Sequence, residues 1–124
     1  MNTNTARSYK DLIVWQKGIA LAKLVYQLTK NFPSEEKFGV VAQMRRAAVS
    51  VPSNIAEGQA RHTTGEFIQF ISHAEGSLAE LDTQLILSIE LRFCREAASE
   101  APFKLIAELR RMLNMLRRKL AARQ

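Results

Sequence analysis

Apolar positions recur at alternating spacings of three and four along four stretches of the chain, the period of an amphipathic helix. The first stretch runs from about Asp11 to Thr29 and repeats Val14, Gly18, Leu21, Val25 and Leu28. Trp15, Ile19, Ala22 and Tyr26 form a second stripe beside it, so this apolar face is wider than one bundle seam needs. Asp11 is the expected N-cap, and Asn31-Phe32-Pro33 stops the helix. Ser34 is expected to cap the second helix, with Glu35 and Glu36 in its positive first turn. The stripe of that helix is Val41, Met44, Ala48, Val51 and Ile55. Pro52 cannot donate to the carbonyl of Ala48, which predicts a kink, and Gly58 marks the end region. Thr63 and Glu66 spell a T-x-x-E capping box that opens a third helix, reaching about Phe93 on the stripe Phe67, Ile71, Ala74, Leu78, Leu81 and Leu85. Ser99 is expected to cap the fourth. Its seam of Ile106, Leu109, Leu113, Leu116 and Leu120 is a 3-4 repeat of coiled-coil type, with Leu105 and Met112 on a neighbouring face.

Connections this short make sequential helices antiparallel. The expected fold is all-α, an antiparallel up-down four-helix bundle in a single domain over residues 1–124, with 1–9 as a flexible N-terminus. A chain of 124 residues can bury a sizeable core unaided. Five Gly and three Pro are too few for a sandwich or barrel of many short strands. Lys17 breaks the apolar run near the N-terminus, and no stretch is apolar enough for a membrane span or a signal-peptide core. The single cysteine, Cys94, excludes an internal disulfide and suits a reducing cytoplasm.

The formal net charge is +6, and it is unevenly placed. Residues 1–100 balance, with eleven Lys/Arg against eleven Asp/Glu. The last 24 carry Lys104, Arg110, Arg111, Arg117, Arg118, Lys119 and Arg123 against Glu108 alone. A basic helix attracts polyanions by phosphate contact and counterion release, which makes these seven the candidate nucleic-acid contacts. The plainer reading is a solvated face, with cations favoured near a helix C-terminus by the dipole.

A catalytic constellation cannot be assembled, and no enzyme, cofactor or metal is expected. Bundle di-metal sites use Glu-x-x-His pairs, because residues three apart share a face. Here Phe70 precedes His73 and Gln59 precedes His62 at that spacing. Phosphate-binding glycine loops are missing, and Gly76-Ser77 is no nucleophile elbow. Arg92 and Arg95 flank Cys94 and would lower its pKa, although a lone cysteine near a helix end is ordinarily inert packing.

The string from Gln43 to Gly58, QMRRAAVSVPSNIAEG, is unusual for a plain bundle. Ser50, Ser53 and Asn54 can satisfy the carbonyl freed by Pro52. Alternatively Asn54 and Glu57, with Arg61 one turn on, line a partner surface. A third reading pairs Arg45 or Arg46 with Glu75 or Glu80 on the third helix, where Gly76, Ser77 and Ala79 permit close approach.

Three strings, YKDLIVWQK, QMRRAAVSVPSNIAEG and GSLAEL, resemble the bacterial four-helix-bundle family of 23S rRNA intervening sequences. The resemblance covers about Tyr9 to Leu91, and the motif residues that carry it include Arg45, Arg46, Ser50, Pro52, Ser53, Asn54, Glu57, Gly58 and Arg61. It implies a small cytosolic bundle that assembles into a homo-oligomeric ring, a pentamer. The chain is also similar, more distantly, to accessory proteins of diversity-generating retroelements, basic pentamers that bind nucleic acid and a reverse transcriptase. Assembly agrees with the double stripe on the first helix. Trp15, Tyr26 and Phe70 are the candidate interface anchors, since large aromatics dominate such contacts, or else they complete a thick monomer core. Two functions stay open: a nucleic-acid-binding ring, and a protein-interaction scaffold whose basic helix only aids solubility.

Overall fold

The computed structural model describes residues 8–124 and contains four helices, α1 (Ile13–Thr29), α2 (Val40–Gln59), α3 (Thr64–Glu90) and α4 (Glu96–Ala121). Cross-contacts set them antiparallel in sequence. Thr29 of α1 meets Arg45 of α2 while Gly18 meets Pro52. Ser50 of α2 meets Ser77 of α3 while Met44 meets Ser88. Each helix packs on its two neighbours around a square, so α1 and α3 stand at opposite corners.

The expected stripes are the core. Leu21, Val25, Met44, Val51, Ile55, Ile71, Leu78, Leu81, Leu85, Ile106, Leu109 and Leu113 are fully buried. Burying a side chain of this size stabilises by about 1.5–3 kcal/mol relative to exposure. Leu28 and Leu116 sit at its edge, partly buried.

The helix starts depart from expectation at three of four places. Asp11 does not cap α1; it closes a short 3-10 turn, Tyr9–Asp11, where its carboxylate accepts the Ser8 N–H at 3.3 Å. Ser8 returns the cap to Lys10 N at 3.1 Å, and Leu12 stands at the α1 N-cap without a side-chain bond. The stretch expected to be flexible, 1–9, otherwise lies outside the described residues. Ser34 begins another 3-10 turn, Ser34–Glu36, and α2 starts only after Gly39. Ser99 lies buried inside the first turn of α4, three residues past its start, and its hydroxyl donates to the Glu96 carbonyl at 2.7 Å. Only Thr63 caps as expected, accepting the Glu66 N–H at 3.1 Å.

Glycine placement follows helix contact. A Cβ on Gly58 would lie 2.7 Å from Phe70 Cβ and 2.9 Å from Phe67 Cδ1. Gly58 therefore lets α2 and α3 close up, and it stands in the last turn of α2, one residue before the helix ends at Gln59, as expected. α2 runs unbroken through Pro52, and Gly18 admits the proline ring, its absent Cβ falling 3.2 Å from Pro52 Cβ. α3 ends earlier than expected, at Glu90. Arg92 takes φ 63°, while Phe93 N–H donates to Ser88 O and Arg92 N–H to Ile89 O. That pair of bonds is a Schellman closure, with arginine where glycine is preferred.

Candidate nucleic-acid interface

α4 aims its cations away from the core. Ile106, Leu109, Leu113 and Leu120 face inward. Lys104, Arg111 and Arg118 recur every seven residues on the opposite side, and all three are exposed. At about 1.5 Å per residue the stripe spans about 21 Å. Arg110 and Lys119 flank it, exposed, and Arg123 is exposed in the turn beyond the helix. Arg118 and Lys119 fall in the last turn, where the helix dipole favours positive charge. Glu108, the lone acid of this segment, is held by Lys17 of α1 at 2.7 Å.

Arg117 differs from its neighbours. It is half-buried, its Nε donates to Glu75 Oε1 of α3 at 2.8 Å, and its Nη2 donates to Asn114 Oδ1 at 2.7 Å. These bonds fasten it to the bundle, and its role is to hold α4 on α3.

The motif of α2 is spent mostly inside the molecule. Arg45 reaches neither Glu75 nor Glu80. Its Nε donates to Thr29 Oγ1 at 2.9 Å, its Nη2 donates to Tyr26 O at 3.4 Å, and its guanidinium lies 4.5 Å over the Tyr26 ring. It thus closes the C-terminal turn of α1, where carbonyls lack helical donors. Glu80 accepts from Gln84 instead, and Glu75 takes Arg117. Asn54 does not reach the Ala48 carbonyl that Pro52 frees. Its amide donates to Ser50 O at 2.8 Å and Ser50 Oγ at 2.9 Å, and Ser50 Oγ meets Ser77 Oγ at 2.7 Å. This chain of bonds joins α2 to α3. Arg46, Ser53 and Glu57 are exposed. Arg61 lies 4.8 Å over the Phe70 ring and 3.9 Å from Glu57, so Glu57 and Arg61 share a surface.

The aromatic anchors separate in the same way. Trp15 packs on the core of its own chain and meets Tyr9 edge-on at 5.4 Å. Phe70 is half-buried beneath Arg61 and meets His73 edge-on. Tyr26 alone of the three is exposed, at 41%. Sequence reading missed Phe38, 89% exposed in the turn before α2, and Ile86, Leu87 and Leu91 on the outer side of α3. The missed signal on α3 is that Ile86 and Leu87 follow one another directly, so both cannot belong to one inward stripe.

Burial pushes the Cys94 thiol above the usual thiol range, against the lowering expected from Arg92 and Arg95. Among the described residues no three His, Cys, Asp or Glu side chains gather as metal ligands, and no helix is long and apolar enough to cross a membrane.

No curated protein matches the chain. The model of one family matches residues 10–115, which takes in α1, α2, α3 and most of α4 and stops before Arg117, Arg118, Lys119 and Arg123. The chain belongs to the 23S rRNA-intervening sequence protein family.

Proposed function

We propose that this protein is a non-enzymatic, homo-oligomeric bundle of the cytoplasm that binds RNA or DNA backbones through the outward face of α4. The observation that carries the proposal is the stripe of Lys104, Arg111 and Arg118, flanked by Arg110 and Lys119, on a helix whose lone acid past residue 100 is tied to Lys17. The sequence carries no base-reading motif, so the contacts are mainly to phosphates and recognition is of backbone and shape. Self-association, as a pentamer on the family resemblance, repeats the stripe. Five copies carry about +30, and repetition turns weak contacts into avidity.

The test is a salt-titrated binding assay on nucleic-acid-free protein, with rRNA fragments and duplex DNA. Each lost phosphate contact lowers the log–log salt slope by about 1. The triple change Lys104→Gln, Arg111→Gln, Arg118→Gln is expected to weaken binding at least tenfold and flatten that slope. Unchanged binding by the folded triple variant rules out this face.

The scaffold reading draws on one observation, the exposed Glu57 and Arg61 beside Phe70. A protein partner retained after nuclease treatment and lost in Arg61→Glu would favour it over nucleic-acid binding.

A further inference from the structure

Two exposed faces of the bundle carry apolar side chains of comparable size and opposite charge. The first lies on α1 and α2. Ile19, Ala22 and Tyr26 line a shallow cleft that continues, across Tyr26, to Phe38, Ala42 and Val49. Its charged lining is entirely basic: Lys23 and Lys30 along α1, and Lys37, Arg45 and Arg46 along α2. Arg45 is engaged with Thr29 and Tyr26, whereas no carboxylate lies within ion-pair distance of Lys23, Lys30, Lys37 or Arg46 among the described residues. The second face lies on the C-terminal half of α3. Ile86, Leu87 and Leu91 are each about half exposed there. From Gly76 to its end at Glu90 this helix carries Glu80, Asp82 and Glu90 and no lysine or arginine, with exposed Arg92 following just beyond Leu91. α1 makes no contact with α3, and no ion pair joins the two faces within one chain among the described residues.

We infer that the basic cleft of α1 and α2 docks on the acidic ridge at the C-terminal end of α3 of a second copy. This inference rests on the self-association proposed above and names the surfaces that make it. Apolar side chains at Tyr26, Phe38 and Val49 meet Ile86, Leu87 and Leu91. Lysines and Arg46 meet Glu80 and Glu90. Such a contact is heterologous: it uses two different patches, leaves one of each unfilled at every step, and so builds a closed ring or an open fibre rather than a two-fold dimer. Like-with-like pairing would set five cations against five.

A mixing experiment tests the geometry. One variant, Phe38→Ser with Arg46→Glu, removes the basic face. The other, Leu87→Ser with Glu90→Lys, removes the ridge. All four positions are exposed, so circular dichroism should show unchanged helix content. Sedimentation velocity should find wild-type protein oligomeric and each variant monomeric. An equal mixture should form a dimer that grows no further, because one intact basic face meets one intact ridge. Assembly of the ridge variant on its own would overturn the inference in favour of another contact. Wild-type assembly by both variants would overturn it while leaving self-association standing. A monomeric wild type would remove both. If either variant loses helix content, Lys37→Glu and Leu91→Ser replace the pair and are held to the same outcomes.

Discussion

The motif of α2 and the outer face of α4 are both rich in arginine and polar groups, yet they put them to opposite uses. On α2, Arg45 caps the end of α1, Asn54 and Ser50 bond each other and Ser77, and Gly58 lets Phe67 and Phe70 come close. The conspicuous string is chiefly a packing device. On α4, the bland repeat of leucines and arginines keeps its apolar half inside and sends Lys104, Arg111 and Arg118 outward. A distinctive motif therefore marks how the bundle closes, and the undistinguished helix offers the larger charged surface.

The sharpest way to break this contrast is Gly58→Ala. Its Cβ would sit 2.7 Å from backbone-fixed Phe70 Cβ, and overpacking of this kind costs about 2 kcal/mol even after the gain in helix propensity. Denaturant midpoints would check it, and an unchanged midpoint would mean that α2 and α3 part freely. Arg45→Ala comes next, with an expected loss of about 1–1.5 kcal/mol as Thr29 and the Tyr26 carbonyl lose their donor. Arg92→Gly should act in the other direction, raising stability by about 0.5–1 kcal/mol because glycine enters the left-handed region without a Cβ penalty. The Lys104, Arg111 and Arg118 triple change to Gln should move stability by less than about 0.5 kcal/mol while it weakens nucleic-acid binding. Comparable loss of both would show that the stripe is structural. The smallest effect belongs to Cys94. Its folded thiol titrates above that of the unfolded chain, so its contribution is complete below the usual thiol range and fades as pH rises through the raised value. Iodoacetamide should accordingly react more slowly with the folded protein than with the chain in denaturant.

Legibility followed the range of the interactions. The inward stripe of each helix was readable because periodicity is local: Val41, Met44, Ala48, Val51 and Ile55 are all buried, and so are Phe67 to Leu85 at their seam positions. The caps were readable only in part. Asp11, Ser34 and Ser99 have the right chemistry, but a cap also needs an extended backbone, and two of these positions lie in 3-10 turns and one inside a helix. The contacts that separate α4's arginines were not readable at all. Register sets Arg117 beside the seam and Arg118 opposite it, but the partner of Arg117, Glu75, lies 42 positions away in sequence. Buried Thr29, Gln84 and Ser88 were missed for the same reason, since their neighbours come from folding rather than from adjacency.

The fastening of Arg117 to Glu75, with Leu120 buried one turn on, would also lower the entropic cost of the proposed phosphate binding. A loose basic tail must surrender rotational freedom at every phosphate it meets, at about 0.5–1.5 kcal/mol for each long side chain immobilised. Here the backbone beneath Arg118 and Lys119 is already ordered by folding, so only the side-chain tips remain to be restrained. The flanking cations of α4 can then exchange one for another without retuning the bundle, whereas loss of the Glu75 tether would leave Leu113 and Leu120 to hold the last turns of α4 by apolar packing.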